Sequence, residues 1–176
     1  RMCRHFSEDF GLDTRVVRYH NVYGPLGTYD GGREKAPAAI CRKIINAKLN
    51  NIDTIDVWGD GKQTRSFLYI SDCLDGTEKI FCSSSQNVYN VGSSEQVSIN
   101  QMIEIIESIA KVNLKKNYQL DKPKGVRGRS SDNSKINSEI NWLPSVQLKS
   151  GLELTYKWIY DQVKSGSHLK KFTRNY

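Results

Sequence analysis

No Cys-x-x-Cys pair occurs among the four cysteines of this 176-residue chain, and its three histidines never fall at a His-x3-5-His spacing. The common thiolate and imidazole frameworks for zinc are therefore missing, and no metal is expected. Apolar runs approaching the roughly 18 residues of a helical membrane span are also missing, as is any signal-like segment. The expectation is a cytoplasmic protein with free thiols and no membrane partner. Internal repeats are absent, and so is the Gly-x-Gly-x-x-Gly turn that cradles a dinucleotide pyrophosphate. A complete dinucleotide-binding unit is thus not encoded in these residues.

What is present supports a folded α/β domain. Apolar residues make up 38% of the chain and aromatics 10%, enough to fill a core. Twenty-six Lys and Arg oppose 19 Asp and Glu, a formal charge of +7 that favours an anionic partner. The basic residues are scattered; the densest run, from Lys122 to Arg129, is broken by Pro123, Gly125 and Gly128. No zinc finger, helix-turn-helix or aromatic RNA-binding motif accompanies them. By itself the basic excess fits nucleic acid, a membrane surface or a phosphorylated small molecule and does not choose among them. A small-molecule substrate with no nucleic acid is the expectation only once the motifs are weighed. A basic nucleic-acid-binding module remains as the non-enzymatic alternative.

Hydrophobic periodicity orders the elements. Cys3, Phe6 and Phe10 follow helical spacing up to Gly11, a good helix stop. Nothing ahead of them caps that helix, so the first residues are expected to be the rear of a longer one and the sequence a fragment. Residues 14–23 read as a strand ending at Gly24-Pro25. Pro37 marks a helix with Ile40, Cys41, Ile44 and Ile45 inward, Cys41 being read as a core thiol. A strand at residues 56–58 enters a tight turn, and residues 64–70 are extended. A helix capped by Ser71 or Asp72 is expected to turn Leu74, Thr77, Ile80 and Phe81 inward.

A strand at residues 87–91 follows. Ser98 and Gln101 form a capping-box pattern ahead of the stripe Ile99, Met102, Ile103, Ile106 and Ile109. Residues 134–143 make a short helix before Pro144. Ser150 and Glu153 form a second capping box, for a helix with Leu152, Tyr156, Ile159 and Val163 inward. Trp58 and Trp142 are expected in the core, Trp158 at a helix edge, and the residues from Ser165 onward frayed. The alternation predicts an α/β layered structure with some parallel pairing and a small appended lobe.

Residues 31–43 carry the most chemistry. A glycine pair leads into Arg33-Glu34-Lys35 just before a helix start, where free amides and the helix dipole attract anions. Lys35 and Lys43 lie about two turns apart and can lean to one side. On its own the segment reads equally well as an anion-binding corner or as a solvated charged helix start.

Four segments then act together: Arg18-Tyr-His-Asn-Val-Tyr-Gly-Pro25, the Gly31 to Lys43 run, Trp58-Gly-Asp-Gly-Lys-Gln-Thr-Arg-Ser-Phe67, and Gly125-Val-Arg-Gly-Arg-Ser-Ser-Asp-Asn133. They resemble the C-terminal half of the extended short-chain dehydrogenase/reductases that act on nucleotide sugars. The second and fourth look most like the branch that epimerises GDP-mannose at C3 and C5. The resemblance, from the first residue to about Val163, implies the C-terminal part of an NAD(P)-binding Rossmann-like fold with its small substrate lobe. The N-terminal NAD-binding half, with the family's Tyr-x-x-x-Lys pair, would lie ahead of Arg1.

The implied reaction oxidises C4 of the sugar transiently, acidifies the neighbouring C–H bonds, and moves protons through a cysteine–lysine pair. The lysine falls on Lys35, and the cysteine belongs to the half not present. An ammonium is loaded with a proton near neutral pH, which suits the acid's role. Substrate contacts fall by resemblance on Asn21, Glu34, Lys35, Ala36, Lys43, Gln63, Thr64, Arg65 and Arg129. His20 would face the nicotinamide of NAD, although an ordinary strand histidine is an equal reading. The resemblance also implies a homodimer when full-length, and a fragment that is inactive alone. The alternative within the family is a 4-epimerase, dehydratase or decarboxylase.

Overall fold

The structure, a computed structural model, describes residues 1–122 and 125–166. Most of the segment expected to fray lies outside the described residues. The chain divides into two compact units. One comprises Arg1–Val22, Thr64–Val97 and Gly128–Leu148; the other comprises Tyr23–Gln63, Ser98–Arg127 and Lys149–Tyr176.

In the first unit, helix α1 (Met2–Phe10) ends at Gly11, whose φ of 64° lets its N–H reach back to the Ser7 carbonyl. None of the α1 residues is buried. The strand expected across residues 14–23 divides into β1 (Val16–Tyr19) and β2 (Val22–Tyr23). The break is at Asn21, which adopts φ 43°, a left-handed conformation that Asn tolerates better than most residues.

Parallel to β1 runs β6 (Val88–Val91), in the register Val16↔Val88 to Tyr19↔Val91. Between them in sequence come β4 (Thr64–Ser66), β5 (Leu68–Tyr69) and α3 (Ile70–Cys82). Two strands went unread in the sequence, β7 (Gln96–Ser98) and β9 (Gly128–Arg129). They flank β4 in a three-stranded sheet ordered β7-β4-β9. Helix α5 (Ser134–Ile140) packs on β6, and the core gathers Leu68, Cys73, Ile80, Tyr89, Val91, Ile136 and Trp142.

The second unit places α2 (Ala36–Leu49) against α4 (Ile99–Ala110) and β3 (Thr54–Trp58). β3 pairs in parallel with β8 (Lys115–Gln119). The capping box of Ser98 and Gln101 forms as its spacing predicts. Buried faces are apolar: Ile40, Cys41, Ile44 and Ile45 from α2, and Met102, Ile103 and Ile106 from α4. Helix α6 (Leu148–Ser165) buries Leu152, Tyr156 and Ile159.

Several expectations are corrected. On α3, Leu74 and Phe81 are 63% and 75% exposed, and the inward residues are Asp72, Cys73, Gly76 and Ile80. Gly76 makes that face the inner one: the Trp142 indole lies against it, and an added Cβ would come within 2.7 Å of the ring. Asp72 does not cap α3. Its buried carboxylate accepts hydrogen bonds from the Ser145 and Val146 N–H groups and the Ser145 hydroxyl.

Trp142 is buried as expected, whereas Trp58 is 55% exposed. β3 turns Ile55 and Val57 inward, and strict alternation then sends Trp58 outward. α6 begins at Leu148, so Ser150 lies within its first turn and not at a cap. The Leu148 N–H donates instead to Glu95 Oε2 at 3.0 Å. Among the described residues no helix is long and apolar enough to cross a membrane.

Candidate active site

The candidate residues fall into two sets. Glu34, Lys35, Ala36, Lys43 and Gln63 belong to one unit; His20, Asn21, Thr64, Arg65 and Arg129 belong to the other.

In the first set, Lys35 is the N-cap residue of α2, with extended backbone and an exposed side chain. Ala36 opens the helix and Pro37 follows, one position later than the sequence implied and still within the turn whose N–H groups need no partner. The residue that organises this corner is Arg42, nearly two turns into the helix and not among the candidates that the sequence offered. Its Nε donates to the Tyr29 carbonyl at 2.8 Å, and a terminal nitrogen donates to Glu34 Oε1 at 2.9 Å. Asp30 stands 3.5 Å from the same guanidinium. The Tyr29 ring also meets Trp158 of α6 edge-on, at 5.6 Å between centroids.

The Glu34 side chain is only 8% exposed. Burial alone would raise its pKa, but its own backbone N–H, Arg42 and the Gly32 N–H outweigh that and hold the carboxyl below its ordinary value. Glu34 Oε2 is buried without a hydrogen-bond partner. Lys35 makes no ion pair among the described residues. Lys43 does not share its situation, because its ammonium donates to the Asp56 carbonyl on β3 at 2.9 Å. Burial depresses the Lys43 pKa, with Asp56 opposing the shift.

Gln63 Nε2 reaches the Trp58 carbonyl at 3.4 Å while its buried Oε1 is unpartnered. Cys41, on the same helix, is fully buried and its thiol is pushed up to about 12 by desolvation, which makes it inert.

In the second set, Asn21 Nδ2 donates to the Ser66 carbonyl at 3.0 Å, and its own carbonyl accepts from Leu68 N–H. The left-handed turn thus fastens the end of β1 to the β4–β5 segment. Arg65 and Arg129 are register partners on the parallel β4–β9 ladder, and so emerge on one face of the sheet. Neither pairs with a carboxylate among the described residues. Like charges placed directly opposite are unfavourable without an anion between them. Thr64 donates to Gln96 Oε1 and packs at Gly128, where an added Cβ would lie 3.0 Å from its hydroxyl. His20 is half-buried, with its N–H bonded to the Val91 carbonyl at 3.0 Å.

The profile of the NAD dependent epimerase/dehydratase family matches residues 1–92. The chain belongs to that family. It is 44% identical over 163 residues to the GDP-mannose 3,5-epimerase of Arabidopsis thaliana, a match covering 93% of this chain and 42% of that enzyme. The chain therefore spans well under half the length of that relative.

Among solved structures it resembles the UDP-glucose 4-epimerase of Thermotoga maritima with UDP-glucose, at a TM-score of 0.80 and 25% identity over 91% of this chain and 50% of that one. It also resembles the UDP-glucuronic acid 4-epimerase of Bacillus cereus with UDP-glucuronic acid and NAD, at a TM-score of 0.74 and 29% identity, covering 92% and 49% of the two chains. For the epimerase/dehydratase fold these likenesses account for the parallel strand pairs and intervening helices. The described residues offer no glycine-rich strand-to-helix turn of the kind that holds a dinucleotide pyrophosphate.

Proposed function

We propose that the protein to which this chain belongs epimerises GDP-mannose at C3 and C5, giving GDP-L-galactose, with this chain as its C-terminal half. The uncovered apolar residues of α1 (Met2, Phe6 and Phe10) support a partner half packed over them. NAD, when bound, supplies transient oxidation at C4 of the sugar, which acidifies the hydrogens on C3 and C5. The cysteine that the family resemblance assigns to the other half would take the proton from one face, and Lys35 hands one from its ammonium to the same carbon on the opposite face, which inverts the centre. The observation that carries this reading is the Lys35 ammonium, free of carboxylate partners at a helix N-cap while Arg42 and Glu34 hold the chain before it.

Arg65 and Arg129 bind the diphosphate, for which a planar bidentate donor is better suited than an ammonium. The orphan acceptors Gln63 Oε1 and Glu34 Oε2, with Asn21, Thr64, Ala36 and Lys43, complete the substrate contacts, and His20 faces the nicotinamide. The protein works in the cytoplasm as a homodimer, and the 176-residue chain alone does not turn over.

The test is proton NMR of GDP-mannose incubated with the full-length protein in D2O. Deuterium should enter at C3 and C5 and L-galactose signals should appear; Lys35→Ala should lose both while still binding GDP. Inversion at C4 alone would instead identify a 4-epimerase, the reading favoured by the fold's likeness to the two 4-epimerase structures.

A further inference from the structure

β9 is two residues long and both are exposed, so its ladder to β4 cannot by itself fix where Arg129 points. The chain just after it is held far more firmly. Asn133 Nδ2 donates to the Gly92 carbonyl at 2.7 Å, and the Ser131 hydroxyl donates to Asn133 Oδ1 at 2.7 Å. Ser131 N–H reaches the Ser93 carbonyl at 3.3 Å, and Asn90 Nδ2 reaches the Asp132 carbonyl at 3.3 Å. Ser131 and Asn133 are 4% and 7% exposed, so these bonds form out of water.

Gly92 is the point of closest approach. A Cβ there would come within 2.5 Å of the Ser131 Cβ and 2.7 Å of the His20 Cβ. Three segments therefore converge at the end of β6: the one bearing His20 and Asn21, the one bearing Gly92, and the one that follows Arg129.

We propose that Asn133 is a positioning residue for Arg129. Its amide spans two segments, giving one hydrogen bond to the end of β6 and accepting one from Ser131, and so sets the exit of β9. The inference rests on the diphosphate role proposed above for Arg129. Asn133 touches no ligand itself; it removes the freedom that Arg129 would otherwise lose on binding an anion.

GDP binding to the full-length protein, measured by calorimetry well below the melting temperature, tests this in a double-mutant cycle. Arg129→Ala should weaken GDP about tenfold or more, the loss of a charge-assisted contact. Asn133→Ala should weaken it by a similar factor, and the double variant should be no more than about twofold worse than Arg129→Ala alone. Asn133→Asp, which keeps the shape but sets a carboxylate against the Gly92 carbonyl, should behave like Asn133→Ala. Should Asn133→Ala not fold, Ser131→Ala, which removes one bond of the clasp, should give a smaller loss that also vanishes in the Arg129→Ala background.

A lowered melting temperature with unchanged GDP affinity in the folded protein, or losses that simply multiply, would overturn the positioning role. Unchanged affinity in Arg129→Ala would overturn the diphosphate reading and this inference with it. A weakened Arg129→Ala beside an unaffected Asn133→Ala overturns the inference alone.

Discussion

The two basic regions are built on opposite principles. At the start of α2, cations and carboxylates are interleaved: Arg42 is bonded to Glu34 and near Asp30, Lys43 is bonded to the Asp56 carbonyl, and among the described residues Arg33 and Lys35 make no ion pair. On the β7-β4-β9 sheet, Arg65 and Arg129 are placed opposite each other with no carboxylate between them. The first region engages Arg42 and Lys43 with its own acceptors and leaves the Lys35 ammonium without an ion pair among the described residues. The second sets two guanidiniums opposite each other without a carboxylate partner among the described residues. A net charge of +7 describes neither arrangement; which cations are already satisfied decides what each can do.

The sharpest way to break this comparison is to remove one cation from each side in the full-length protein. Lys35→Ala should lower the rate of deuterium incorporation at C3 and C5 by about 10²- to 10⁴-fold while changing GDP affinity little. Arg129→Ala should act the other way round, chiefly on affinity. Equal effects on rate and affinity from both would mean that the regions do not divide the work.

Next in size is Arg42→Ala, which strands the buried Glu34 and frees the Tyr29 carbonyl. Because Arg42 is about a quarter exposed, a loss of about 1–3 kcal/mol in unfolding stability is expected, below that of a fully buried pair. Chemical denaturation measures it. Arg42→Lys should not restore the loss, since an ammonium cannot span both Glu34 and the Tyr29 carbonyl.

The same treatment on the sheet should have the opposite sign. Arg65→Gln relieves a like-charge pair and should raise stability by about 0.2–1 kcal/mol without ligand, while weakening GDP. Denaturation with and without GDP would show both. A uniformly destabilised variant would mean that the arginines hold the fold together.

The smallest effect expected is on pH. Glu34 has its pKa lowered in the folded chain, so its contribution is complete above its ordinary value of 4.5 and disappears as pH falls through the lower folded one. Wild type should therefore lose stability below pH 4.5 more steeply than Glu34→Gln.

Much of the fold was legible where one local signal was unopposed. The Ser98 and Gln101 spacing specified the start of α4, and the α2 stripe named its buried residues. Strands of two or three residues were not legible, because β7 and β9 exist through their pairing with β4 and carry too few residues for any period. α3 misled for a different reason. Its apolar residues describe one stripe, but the face that packs was chosen by the space at Gly76 and the carboxylate of Asp72, neither of which scores as hydrophobic.

At the candidate site, the segments were recognisable from their motifs, yet Arg42 was not. Its partners, a carbonyl thirteen residues back and a carboxylate eight residues back, are brought to it by the course of the intervening loop. Trp58 could have been placed correctly from the alternation of Ile55 and Val57.

The burial of Trp142 against Gly76 has a spectroscopic consequence. It is the tryptophan of the Arg1–Val22, Thr64–Val97 and Gly128–Leu148 unit, whereas Trp58 and Trp158 belong to the other. An indole shielded from water emits at shorter wavelength than one in contact with it, so replacing Trp58 and Trp158 by Phe would leave an optical reporter tuned to one unit alone. Loss of its blue-shifted emission would time the opening of that unit, independently of the helix that Lys35 caps and Arg42 lies on.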